Sequence, residues 1–241
     1  MKPKRSLSVV VLCFFLMVGL SWEVGAFDET HIKKLIALDR CPSCDLSKVD
    51  LSGANLKRAN LTAGNLRHAN LSGVDLTRAK LSGVDLTSAN LMGANLTGAN
   101  FSGGNLRHAN LTKADLNWAH LNRTDLRQAN LWKADLTQAK LSRADLISAN
   151  LVEANLTWAN LPNANLTDAD LTGANLKRTN LHFTNLTGVD LKEANLKRTN
   201  LKRANLTGAD LTGARLSGAN LTKAIFCETK MPDGTMNNSD C

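Results

Sequence analysis

Tyrosine is absent from the 241-residue sequence, proline occurs four times, and aromatic residues make up only 4% of it. A core of packed rings is therefore excluded. Acidic excess is absent too: Lys and Arg number 29 against 21 Asp and Glu, a formal net charge of +8. Cysteine is missing from the whole centre of the chain and occurs only at 13, 41, 44, 227 and 241. A single four-cysteine zinc centre is excluded if the two ends of the chain lie apart. The one long apolar run, LSVVVLCFFLMVGL at 7–20, is too short for a comfortable membrane span.

That run follows Lys2, Lys4 and Arg5 and precedes EVGA at 23–26, with the small-residue pattern Val24-x-Ala26. Residues 1–26 read as a secretory signal cut before Phe27, with an uncleaved N-terminal anchor as the alternative. The mature chain, without Lys2, Lys4, Arg5 and Glu23, keeps 26 basic and 20 acidic residues, net +6. This mild excess favours anionic partners weakly. Export makes chromosomal DNA and ATP-driven chemistry poor substrates. The expected compartment is a periplasm or the extracellular space, or a thylakoid lumen if the host is photosynthetic.

From 46 to 226 every fifth residue is Leu, except Phe101 and Phe226, across 37 positions without a slip. With this residue numbered i, position i−2 is small, mostly Ala. Position i−1 is Asn or Asp in 32 of the 37, the exceptions being Lys80, His120, Lys140, Arg215 and Ile225. On an α-helix five residues turn through about 500°, so the Leu side chains would drift around the axis. On a flat strand an odd spacing sends alternate Leu to opposite faces. The chain must instead turn once per repeat, in short extended segments joined by corners. Asn and Asp, which bond local backbone groups and tolerate turns, suit the corners.

The motif A-(N/D)-L-x-x resembles the pentapeptide-repeat family over about 46–226. The resemblance implies an all-β fold, a right-handed quadrilateral parallel β-helix of four pentapeptides per 20-residue coil. About nine coils would give a rod roughly 43 Å long at the usual inter-strand spacing. Leucine-rich repeats are excluded by their longer period. Some cytoplasmic members of the family mimic DNA and protect topoisomerases, which needs an acidic surface that this basic chain lacks.

Outside the repeat, FDETHIKKLIALDR (27–40) places Ile32, Leu35 and Ile36 at helical spacing, followed by Leu38. A short capping helix over the first coil is expected, begun by Asp28 or Thr30. In CPSC (41–44) Cys41 falls on an i position and Cys44 on an i−2 position, both inward. They form either a local disulfide or two buried thiols, and a structural role is preferred over redox chemistry because no βαβ unit accompanies them. The segment 27–45 is thus an N-terminal cap. The tail 227–241 keeps the frame faintly, with Met231, Met236 and Cys241 at i positions. A Cys227–Cys241 bond there would add about 3 kcal/mol by loop entropy. The resemblance supports a C-terminal cap.

A 20-residue coil stacks residues 20 apart into columns. One column reads Arg58, Arg78, Gly98, Trp118, Gln138, Trp158, Arg178, Arg198, Gly218. With Lys177, Lys197, Lys202 and Arg203 beside it, this is a candidate surface for an anionic envelope polymer, by charge and cation–π contact. Glu153 and Glu193 on the neighbouring wall are expected to offset some of that charge. A second column, Met92, Thr112, Trp132, Val152, is a candidate apolar ridge for a partner protein or a homodimer. The hexapeptide NLRHAN occurs at 65–70 and at 105–110. His68 and His108 fall two coils apart, about 9.6 Å, too far to share a zinc ion. No Ser–His–Asp, paired-carboxylate or metal-ligand cluster converges in the columns. No enzyme activity, cofactor, metal or small-molecule substrate is expected. The expected function is an exported structural or protein-interaction module with an unidentified protein partner.

Overall fold

The structure, a computed structural model, describes residues 29–241. The expected signal segment lies outside the described residues. Among those described, no helix is long and apolar enough to cross a membrane.

Each repeat makes one bridge of parallel β-structure. Position i−1 pairs with the residue 20 further on, from Arg40↔Asn60 without interruption to Asp210↔Lys230. Four pentapeptides therefore make one coil, and the coils stack as a solenoid with four walls. The first wall carries Leu46, the second Leu51, the third Leu56 and the fourth Leu61, each recurring every 20 residues. The ladder is regular: the amide of Leu46 donates to the carbonyl of Asn65 (2.7 Å), and the amide of Asn65 to that of Cys44 (2.9 Å).

The corners follow from a β-turn in every repeat. The amide of residue i+3 donates to the carbonyl of residue i, as Ala59 does to Leu56 at 3.0 Å. Every residue at i+2 from 43 to 228 has positive φ, whether glycine, as at Gly103 (φ 67°), or not, as at Trp158 (φ 62°) and Gln128 (φ 57°). Turns with a left-handed third residue favour glycine, so the non-glycine positions carry strain that the neighbouring coils impose. The Asn and Asp residues serve the corner differently from the expectation. They sit in the bridge, and their Oδ1 accepts the amide two residues on, as Asp50 accepts from Ser52 (2.9 Å) and Asn90 from Met92 (3.2 Å). Their amides also run between coils: Asn175 Nδ2 donates to Asn155 Oδ1 (3.3 Å), and Asn195 Nδ2 to Asn175 Oδ1 (3.0 Å). Where Lys140 takes the i−1 position, the Ser142 amide turns to Asn122 Oδ1 of the preceding coil (3.1 Å).

The interior is closed by the two inward positions. The repeat Leu residues are buried at 0–2% exposure from Leu46 to Leu211. Burial of each contributes about 1.5–3 kcal/mol. Thr replaces the inward Ala at 124, 179, 184 and 199, and each hydroxyl donates to a Leu or Phe carbonyl of the preceding coil at 2.6–3.0 Å. Leu216, Leu221, Phe226 and Met231 are only partly covered, so the core loosens toward the C-terminus.

Both ends are tied off by hydrogen bonds as well as by apolar contact. Helix α1 (Glu29–Leu38) buries Leu35 completely and packs Ile32 on the core. Ile36 and Leu38 instead face solvent, because the helix contacts the rod along a stripe only one residue wide per turn. The helix stops at Asp39, whose φ of 51° is left-handed and whose amide bonds the Leu35 carbonyl. His31 on α1 accepts the amide of Asp45 through Nδ1 at 3.2 Å, the role a carbonyl plays one coil further on. Cys41 and Cys44 are both buried and disulfide-bonded, with Cα atoms 5.4 Å apart.

At the other end the five-residue frame holds to Met231 and then fails. The chain reverses at Gly234 (φ 84°), and β1 (Thr229–Lys230) pairs antiparallel with β2 (Met236–Asn237). Met236 and Cys241 consequently face outward. The reversed tail supplies acceptors to the last repeat: Asp240 takes the Phe226 amide (2.9 Å) and Asn238 the Glu228 amide (2.9 Å). A Cys227–Cys241 disulfide holds it there.

The turn geometry predicts opposite effects of glycine at two sites. A Cβ at Gly103 would meet no atom within 4 Å, so Gly103→Ala tests the backbone alone. It should destabilise by about 1 kcal/mol. Ser148→Gly, at the same turn position (φ 54°), should be neutral or stabilising. Thermal unfolding of the two variants, followed by circular dichroism, reads both.

Candidate binding surface

The outward positions are i+1 and i+2, the two residues of each turn. All candidate residues of the basic and aromatic surface occupy them. Trp118 and Trp158 are exposed at 55% and 51%. The third wall stacks Arg178 on Trp158, with the guanidinium carbon 4.6 Å from the ring centroid. Lys177, Lys197 and Arg198 stand exposed beside this pair. Lys202 and Arg203 are exposed on the fourth wall, where Arg203 lies over Phe183 at 5.1 Å. Trp118 is not joined to the cluster, because Gln138 occupies the coil between it and Trp158. Glu153 does not offset the cluster: it pairs with Lys133 at 3.2 Å on the second wall.

The apolar column on the second wall is interrupted. Met92 is exposed, but Trp132 and Val152 are half-buried. Lys133 and Lys113 place their ammonium groups 4.5 and 5.4 Å from the Trp132 ring centroid. Lysine stems thus cover this ring from both sides. His68 and His108 are exposed turn residues on the first wall, with Ser88 in the coil between them. Among the described residues no group of three or more His, Cys, Asp or Glu side chains is arranged to hold a metal.

Four of the ion pairs follow one offset. A cation at i+1 reaches the Asp at i−1 of the next coil: Lys57 to Asp75 (3.0 Å), Arg67 to Asp85 (3.3 Å), Arg127 to Asp145 (3.4 Å), Lys192 to Asp210 (3.5 Å). Arg127 also pairs with Asp125 in its own repeat. Burial pushes the pKa of the Asp75 carboxyl up, but the Thr77 hydroxyl and amide and the Lys57 ammonium together outweigh it and hold the group below its usual value. Asp125 behaves alike, with Arg127 the main counterweight to burial. On the fourth wall the i−1 position is never acidic. There His120 is pushed below the usual histidine value, first by burial and then by the charge of Lys140 one coil on. The sequence reading missed this pair, although His120 and Lys140 stand out as exceptions to the Asn/Asp rule.

A shallow depression on the fourth wall is lined by Asn122, Arg123, Ser142, Arg143 and Asn163. None of these residues was singled out from the sequence.

The family model described as pentapeptide repeats matches the chain in eight copies, over 44–83, 54–91, 89–128, 119–157, 154–192 and 190–226. The chain belongs to the pentapeptide-repeat family. HetL, a pentapeptide-repeat protein involved in heterocyst differentiation regulation in the cyanobacterium Nostoc sp. strain PCC 7120, is similar at 33% identity. The match covers 79% of this chain and 90% of HetL, with a TM-score of 0.43. Rfr23 from the cyanobacterium Cyanothece 51142 is 39% identical over 38% of this chain and 63% of its own, TM-score 0.37. A pentapeptide-repeat protein of the Arabidopsis thaliana thylakoid lumen is 34% identical over 42% of this chain and 63% of its own, TM-score 0.19. Comparison with curated protein sequences finds no match.

The titrating groups of this pentapeptide-repeat surface predict two separate steps of acid destabilisation. His120, lowered in the folded state, binds fewer protons folded than unfolded, so stability is lost as pH falls through about 6.5 toward the folded value. The lowered carboxylates contribute stability that is complete above their unfolded value and is lost as pH falls below about 4. Melting temperature measured from pH 8 to 3 should show both steps. His120→Asn, which installs the commonest residue of that position, should abolish the first and leave the second.

Proposed function

We propose that this pentapeptide-repeat protein is an exported, non-enzymatic display rod that engages a protein partner through its turn residues. The observation that carries this reading is the division of labour within each repeat. Inward positions are almost uniformly Leu and Ala and buried, whereas i+2 ranges from Gly to Trp at one backbone conformation and i+1 varies from Ser to Trp. A fixed scaffold with variable outward residues suits recognition of a surface rather than chemistry in a pocket.

Export is supported by the signal-like segment 1–26 and by two disulfides, one at each end, which persist in oxidising compartments. The rod is read as about nine coils, with α1 and the 227–241 tail as its two caps. Caps of this kind keep open strand edges from pairing with other chains. Trp118, exposed and with no cation stacked on it among the described residues, is the favoured partner contact.

The test is photo-crosslinking in the native host from a reactive residue placed at Trp118. A chain beginning at Phe27, recovered outside the cytoplasm and joined to one discrete protein, is the expected result. A full-length chain retained in the cytoplasm, or a processed chain with no adduct from Trp118, overturns the reading.

A further inference from the structure

The fourth wall differs from the other three in charge. Its segments, 60–64 and every block 20 further on to 220–224, contain no Asp or Glu. The acids of the repeat region all lie on the other walls. The i−1 column of this wall, from 60 to 220, is Asn throughout except for Lys80, His120 and Lys140. The offset that neutralises cations elsewhere, i+1 to the next i−1, therefore meets no carboxylate here.

The turn column repeats the pattern. On the second wall one pair 20 apart at i+2, Lys133 and Glu153, is of opposite sign and bonds at 3.2 Å. On the fourth wall the equivalent neighbours are Arg123 over Arg143, and Arg203 over Lys223. None of these four makes an ion pair among the described residues. Like charges one coil apart, about 4.8 Å in rise, repel one another and are left for an external anion to compensate.

The surroundings are built of hydrogen-bond donors. Arg123 and Arg143 line the shallow depression with Asn122, Ser142 and Asn163. Asn122 Oδ1 is engaged by the Ser142 amide at 3.1 Å, which leaves Nδ2 as the donor of that side chain. Two guanidinium groups with amide donors and no carboxylate suit an oxyanion, which Arg can bind with two parallel bonds.

We propose that the fourth wall binds a linear acidic polysaccharide laid along the rod. Polymer rather than a single anion is indicated because cations without an ion pair among the described residues recur from Lys80 to Lys223 along one straight wall. Sugar rather than nucleic acid is indicated by the aromatic rings. Binding of single strands relies on free ring faces for the bases. The one large outward ring of this wall, Phe183, stays partly exposed but has Arg203 over one face at 5.1 Å and His182 beside it at 4.3 Å, which leaves no row of free ring faces for stacked bases. The i+1 column here is mostly small and polar, with the hydroxyls of Thr62, Ser82, Ser102 and Thr222 placed to meet sugar hydroxyls. This inference adds a ligand class to the display rod and stands without the protein partner, since its test uses purified components.

The purified protein is titrated with polygalacturonate, with neutral dextran and with an oligothymidylate of matched length. Polygalacturonate is expected to bind, dextran not to bind, and affinity to fall at least about tenfold between 50 and 200 mM salt. Arg123→Ser with Arg143→Ser should weaken binding by about tenfold. Serine already occupies the same left-handed position at Ser88 and Ser148, so the variant is expected to fold, and its melting curve checks this. The charge-matched control, Lys48→Ser with Arg107→Thr on the first wall, should stay within about twofold of the parent. Three results overturn the proposal. They are no binding of polygalacturonate at 50 mM salt, equal loss in the control variant, and tighter binding of the oligonucleotide than of the polysaccharide.

Discussion

A left-handed residue at every fifth position is the constraint on which the whole structure depends. It bends the chain once per repeat, brings each Leu back to the same interior and lets residues 20 apart form their backbone ladder. Most side chains resist that conformation. Arg, Lys, Trp, Gln and Glu nevertheless adopt it here, because the next coil engages the amide at that position, as Trp158 donates to Lys177 at 3.1 Å. Local strain is thus offset by a neighbour-to-neighbour term, which grows with every coil added. The surface that results is not chosen for turn propensity, so the outward residues are free to answer to binding.

The same ladder makes the ends the vulnerable places. A terminal coil has amides and carbonyls that an interior coil does not leave open. The two ends solve this with different chemistry. At one, an imidazole nitrogen of His31 and the buried side chain of Leu35 stand in for a coil. At the other, the side chains of Asn238 and Asp240 stand in for carbonyls on a segment that runs the wrong way to be a coil. Each is anchored by a disulfide. Opening of the rod from either end therefore meets a covalent tie.

Much of the architecture was legible in the sequence because burial imposes a strict period. The five-residue spacing placed the repeat Leu and the small i−2 residues inside, and the 20-residue columns put Arg178 on Trp158. Less was legible wherever hydrogen bonding decides. Asn and Asp were assigned to the turn itself, whereas they brace it from the bridge while any residue at i+2 turns left-handed. The tail was read in frame to Cys241, but Gly234 reverses it, and no period signals a reversal. The second-wall ridge looked apolar as a column because lysine stems from the neighbouring column, Lys113 and Lys133, are invisible in a one-column reading. The ion-pair offset needs three-dimensional distances, and only after it is known does the lack of acids on one wall acquire meaning.

The uniform ladder also bears on how such a chain changes length. A single inserted residue would put every later Leu out of step with the coil beneath and break the bridge at that level. Insertion of 20 residues would keep every Leu in step, replacing one coil–coil interface by two of the same kind. Length is therefore quantised, and the natural unit of change is a whole coil. The twin hexapeptides NLRHAN at 65–70 and 105–110, two coils apart on one wall, have the form that copying of whole rungs would leave. A duplicated rung also copies its outward charges in line. A rod that lengthens in this way lengthens its patterned walls with it.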